Sequence, residues 1–203
     1  RPVSLGGTLD HSENIDACLI ADGKDAVLVA VRETLKRGAS QIKLTAGGGI
    51  SSSFDPLDVS QFTEEEIHAA VEAAADWGTY VTVHAFTARA VNKAIAAGVK
   101  CIEHGQLLDE ATVKLMAEKG VWLSIQALDT AGRADFSAEQ KQQKKDVANG
   151  ADAVIKLAKK YKVKMAWGTD VFFNPPINKD QNTYIAKMGN WFTDLFTGNT
   201  IAQ

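Results

Sequence analysis

Four residues suited to metal binding or acid–base work recur at one kind of position along the chain: Lys43, His84, His104 and Asp170. Lys43 stands in Gln41-Ile42-Lys43-Leu44, just ahead of Thr45-Ala46-Gly47-Gly48-Gly49. His84 follows Tyr80-Val81-Thr82-Val83, and His104 follows Cys101-Ile102-Glu103. Asp170 follows Met165-Ala166-Trp167-Gly168-Thr169. Neutral imidazole and carboxylate are ordinary Zn²⁺ ligands. A bound divalent cation lowers the pKa of its water to about 7, which makes hydroxide available at neutral pH. A carboxylate beside that water can take its proton and pass it to a leaving group. The chemistry such a set supports is hydrolysis. Each residue also has a plainer reading: a hydrogen-bonded structural His, a turn Asp, a snorkelling Lys. The functional reading gains because all four fall at equivalent points of one repeated unit.

Other residues contribute less. His11 lies near Gly6-Gly7-Thr8 and could line a pocket. Gly47 and Gly48 let the backbone pass close to a metal or substrate; a phosphate cradle is the weaker alternative, since no P-loop lysine follows. His68 falls beside the apolar stripe of a helix and reads as partly exposed. Cys101 reads as core. Arg89 and Arg133 are candidates for binding a substrate carboxylate, and nothing in the sequence specifies the substrate further.

The elements that must position these residues are legible. Helical patterns end in Gly, and short apolar strands follow, at Gly38, Gly78, Gly98 and Gly120. Gly just past the last helical residue is the usual left-handed helix stop. Thr63-Glu64-Glu65-Glu66 and Ser137-Ala138-Glu139-Gln140 are capping boxes, and Asp109 caps a third helix. Ile67, Ala70, Val71 and Ala74 form an apolar stripe, as do Val27, Ala30, Val31 and Leu35. Strands are expected at about Pro2–Leu5, Ile42–Leu44, Tyr80–Val83, Cys101–Glu103, Val121–Ile125 and Met165–Trp167. Strands alternating with helices imply βαβ units and a parallel sheet. A (β/α)₈ barrel takes about 250 residues, so 203 hold roughly six and a half units. The rim at the strand C-termini is where such barrels do chemistry. The loops 46–62 and 127–136 are long for a compact domain, a length that usually signals function.

Composition narrows the classes. With 45% hydrophobic and 23% charged residues, the chain is neither disordered nor fibrous. A net charge of −3 offers no electrostatic case for nucleic acid or an anionic membrane surface. The apolar runs are too short to span a bilayer. Cys18 and Cys101 lie far apart and read as reduced thiols. Compartment is unspecified; cytoplasm is the default, and a secretion signal could precede Arg1.

At these segments the sequence resembles the amidohydrolase superfamily, most of all its imidazolonepropionase-related, Xaa-Pro dipeptidase-like branch. The likeness lies in Gln41-Ile42-Lys43 with its Gly-rich loop, Val83-His84-Ala85, Ile102-Glu103-His104-Gly105 and Trp167-Gly168-Thr169-Asp170. It implies a partial TIM-type (β/α)₈ barrel over residues 1–203, about strands 3 to 8, with the first two strands and the flanking β-sandwich absent. It implies one or two divalent metal ions, Zn²⁺ first among them, and a CO₂-derived carbamate on Lys43 that bridges them. His84 and His104 would bind the second metal. Asp170 would bind the first metal and serve as the catalytic base, then as acid toward the leaving amine. The implied substrate is a small molecule, a dipeptide or N-acyl amino acid cleaved at its C–N bond. The family's His-x-His pair has no counterpart in the chain. The alternative is therefore a catalytically incomplete barrel fragment that needs its missing segments or a partner. Its open strand edges would favour self-association into a homo-oligomer. A lyase or isomerase using Lys43 as a Schiff base is a third reading, which the ligand set argues against.

Overall fold

The computed structural model describes residues 18–50, 55–126, 136–170, 181–189 and 191–192. The expected strand Pro2–Leu5, His11, Arg133 and most of the loop 127–136 lie outside the described residues. The described elements alternate as anticipated: α1 (Lys24–Lys36), β1 (Ile42–Thr45), α2 (Glu64–Asp76), β2 (Val81–Thr87), α3 (Ala88–Ala96), β3 (Cys101–Leu107), α4 (Glu110–Lys119), β4 (Trp122–Ile125), α5 (Ala138–Lys160), β5 (Met165–Trp167) and α6 (Gln181–Met188). The strands form a sheet in chain order, β1-β2-β3-β4-β5. A sheet whose order follows the chain, with a helix between consecutive strands, is a run of βα units. The chain divides between Glu103 and His104 into two compact units.

In the first unit β1 and β2 pair in parallel, with Lys43 opposite Thr82 and Thr45 opposite His84. Ile42, Val81 and Val83 are buried on one face of this pair. The other face carries Lys43, Thr45, Thr82 and His84, because alternate residues of a strand share a side. The N-termini of α1 and α2 are tied by one carboxylate. Glu66 accepts from Thr63 N at 2.8 Å and from Gly23 N at 2.7 Å, while Glu66 N donates back to Thr63 Oγ1 at 3.2 Å. This is the capping box read from the sequence, extended to a second helix whose own N-cap, Gly23, has no side chain to offer. Burial works against the ionised form of Glu66, but the backbone donors of Thr63 and Gly23 outweigh it and hold its pKa below the usual 4.5. The buried face of α2 is wider than the expected stripe: Ala69 and Ala73 are inside, and Val71 is half-buried. The reason is that α2 packs against both α1 and the β1–β2 pair, so a single narrow stripe would not cover both neighbours.

In the second unit β4 and β5 pair in parallel, Leu123 opposite Met165 and Ile125 opposite Trp167. Asp109 caps α4 by accepting from Thr112 N at 2.8 Å, and Gly120 ends it in the left-handed region at φ 66°. Ser137 and Gln140 form the second capping box, opening α5. Gly150, midway along α5, sits where a Cβ would fall 2.3 Å from the Gln106 carbonyl oxygen. The missing side chain is what lets this helix lie directly on the end of β3. Val147, Ala151, Val154, Ile155 and Ala158 bury the rest of that face.

Candidate functional site

Lys43 is the second residue of β1 and is exposed. His84 and His104 do not follow their strands, as the sequence suggested. Each is the fourth residue of a seven-residue strand, and both are buried. The strands run on through Ala85-Phe86-Thr87 and Gly105-Gln106-Leu107, so the histidine was a poor marker of the strand end. Asp170 lies three residues beyond β5, in the stretch after the strand where it was expected.

The Gly-rich loop is built around His84. Ala46 N and Gly47 N both donate to the His84 carbonyl, at 3.0 and 2.9 Å. The Gly48 carbonyl in turn faces His84 Nε2 at 2.9 Å, and the Phe86 ring meets the imidazole edge-on at 5.1 Å. A Cβ on Gly48 would lie 1.9 Å from the Pro56 carbonyl oxygen, so only glycine permits this course. Gln61 closes the loop by donating to the Gly47 carbonyl at 2.7 Å. Gly47 and Gly48 therefore shape the surroundings of His84.

Two of the four residues are held in an uncommon backbone state. His104 has φ 80° and Asp170 φ 51°; the one other described non-glycine residue with positive φ is Lys162. Left-handed backbone costs an L-residue about 1–2 kcal/mol. Such strain collects where a side chain must be aimed. At β3 the reversal extends to Gly105, φ 65°, and re-aims the strand's side chains from that point.

Each histidine also has one nitrogen fixed by a group that accepts. A carbonyl oxygen cannot donate, so His84 Nε2 carries a proton toward Gly48 and Nδ1 carries the lone pair. His104 Nδ1 lies 2.8 Å from Gln126 Oε1. An imidazole held through one nitrogen so that the other can ligate is the usual arrangement in metal sites. This donor chemistry fits a divalent cation. Among the described residues, no three His, Cys, Asp or Glu side chains stand together in a ready cation site.

Gln126 and Gln106 carried no signal in the sequence. They lie 22 and 2 residues from His104, at strand ends that read as ordinary polar boundaries. His68 is exposed as expected, 3.8 Å from Glu72 and 3.3 Å from the Ala97 carbonyl. Cys101 is half-buried rather than core, its thiol 3.8 Å from Glu103 Oε1, because the face it shares with Glu103 and Thr82 is polar.

A family model for the amidohydrolase family matches residues 5–197. The chain belongs to that family. A prolidase solved in complex with N-methylphosphonate-L-proline superposes with a TM-score of 0.81 at 31% identity, over 90% of this chain and 46% of that one. A Xaa-Pro dipeptidase with methionine bound in its active site gives 0.68 at 32% identity, over 83% and 44%. The ochratoxinase of Aspergillus niger is 41% identical over 102 residues, half of this chain and 21% of the relative. Its crystal structure superposes with a TM-score of 0.68 at 34% identity, over 74% and 35%. This amidohydrolase chain thus spans about a fifth of the length of the curated ochratoxinase and under half of the prolidase structures. The five strands of its described residues form an α/β sheet that is part of a TIM-type barrel.

Proposed function

We propose that this amidohydrolase chain carries the metal-binding strands of a hydrolase that cleaves amide C–N bonds, in a dipeptide or an N-acyl amino acid. The observation that carries the reading is the likeness, across nine-tenths of the chain, to a prolidase holding a phosphonate analogue of an acylated proline. A phosphonate on the proline nitrogen is tetrahedral where an amide carbonyl would be planar, and so imitates that carbonyl after water has added.

In this reading Lys43, carboxylated by CO₂, His84, His104 and Asp170 hold one or two divalent ions. Zn²⁺ leads, and Mn²⁺, Fe²⁺ and Co²⁺ are compatible with imidazole and carboxylate donors. When bound, such an ion supplies Lewis acidity and a water acidified to near neutrality. The exposure of Lys43 leaves its amine open to CO₂. His84 and His104 present Nδ1 and Nε2 as donors, with the opposite nitrogen of each ring anchored. Asp170 takes a proton from the attacking water and returns it to the amide nitrogen as the C–N bond breaks, giving a carboxylate and a free amine.

The test uses the enzyme that carries these residues, loaded with Zn²⁺ and offered Xaa-Pro dipeptides and N-acyl amino acids. Release of free amine that stops on chelation and returns with metal is expected. Hydrolysis that survives removal of all metal would overturn the reading.

A further inference from the structure

We propose that Gln126 is the positioning residue that fixes His104 as its Nδ1–H tautomer and thereby leaves the Nε2 lone pair for a cation; the purpose assigned to that lone pair rests on the metal-dependent reading above. Gln126 directly follows β4 and is buried, as is His104. Its Oε1 lies 2.8 Å from His104 Nδ1. An amide oxygen only accepts, so the ring nitrogen must donate. The sense of the Gln126 amide is set by a third buried side chain: Gln106 Nε2 donates to the same Oε1 at 3.3 Å. One oxygen thus takes two donors, and turning the Gln126 amide over would set its NH₂ against that of Gln106. The rival arrangement turns both amides over together and makes Nδ1 an acceptor. It would place the proton on Nε2 and deny that nitrogen to a metal.

The backbone supplies a reason for such an anchor. His104 stands at φ 80° beside Gly105 at φ 65°, so its ring leaves the strand in a direction that regular β geometry would not choose. Gln106, two residues on, is fully buried under α5, where Gly150 lets the helix meet its carbonyl oxygen. The His104 imidazole and the Gln106 amide, both on β3, converge on one buried oxygen just past the end of β4. A ring held this way is constrained in both rotation and tautomer.

The experiment reads the tautomer directly, by long-range ¹H–¹⁵N correlation on the ¹⁵N-labelled, metal-free chain at a pH where imidazoles are neutral. His104→Gln assigns the signal. The wild-type ring should show a protonated Nδ1. Gln126→Leu should release it toward the Nε2–H form that unconstrained histidine prefers, while Gln126→Glu should retain Nδ1–H. Gln106→Leu should give a mixture, and it serves as the second variant if Gln126→Leu fails to fold. Zn²⁺ affinity, measured by chelator competition, should fall about 10–100-fold in Gln126→Leu and recover in Gln126→Glu. A wild-type ring protonated on Nε2, or one unmoved by Gln126→Leu, overturns the proposal. A chain with the expected tautomer that takes up no Zn²⁺ contradicts the metal-dependent reading and leaves the role of Gln126 in fixing the ring intact.

Discussion

At the scale of single residues the charge state of one carboxylate and the identity of another make separate claims. Asp170→Asn removes a proton acceptor but keeps an oxygen that can ligate. In the complete enzyme, activity should drop by about 10²–10⁴-fold with metal partly retained, as read from kcat and metal content together. A variant of near-normal kcat would remove Asp170 from the chemistry. Glu66 concerns stability alone. Its folded-state pKa lies below 4.5 because backbone donors favour the ionised form. A depressed carboxylate contributes stability that is present above the unfolded value and is lost as pH falls through the folded one. Glu66→Gln should therefore be less stable than wild type at pH 7, with the gap closing below pH 4.5. Denaturant unfolding at both pH values checks this.

At the scale of elements, what is written locally was readable and what depends on distant partners was not. Thr63 with Glu66 and Ser137 with Gln140 act within four residues of sequence, and both capping boxes form. Gly120 ends its helix for a reason confined to its own φ. By contrast, the reach of β2 and β3 past their histidines depends on burial of a polar ring. For His84 that burial is made acceptable by a carbonyl 36 residues away. The same holds for Glu66, whose second duty toward Gly23 spans 43 residues. Gly150 inverts a general rule. A glycine inside a helix ordinarily costs about 1 kcal/mol relative to alanine. Here the added methyl would meet the Gln106 carbonyl at 2.3 Å, a backbone atom that cannot swing aside. Gly150→Ala should destabilise by about 1–3 kcal/mol instead of stabilising, as measured by chemical denaturation.

At the scale of the whole molecule the candidate ligands Lys43, His84, His104 and Asp170 are spread across more than half of the chain. In the proposed metal-dependent reading, ligands so dispersed would gather only in the folded state, so metal should bind the native chain and not the unfolded one. Saturation at 100 times the dissociation constant then adds about 2.7 kcal/mol. The thermal midpoint should rise with Zn²⁺ and fall back with chelator; a midpoint indifferent to both would contradict the metal-dependent reading. The order of the strands was legible because each repeats one pattern, whereas the places of His84 and His104 within their strands were not. The anchors were not, because a glutamine that orients an imidazole looks like any other glutamine until the chain has folded. The contact between Gly150 and β3 has a practical side as well. A random screen for inactive variants would return position 150 alongside the ligands, although it has no side chain to contribute. Anyone mapping such a screen onto the surface would draw the active site too large, and would place part of it on a helix whose one task there is to stay out of the way.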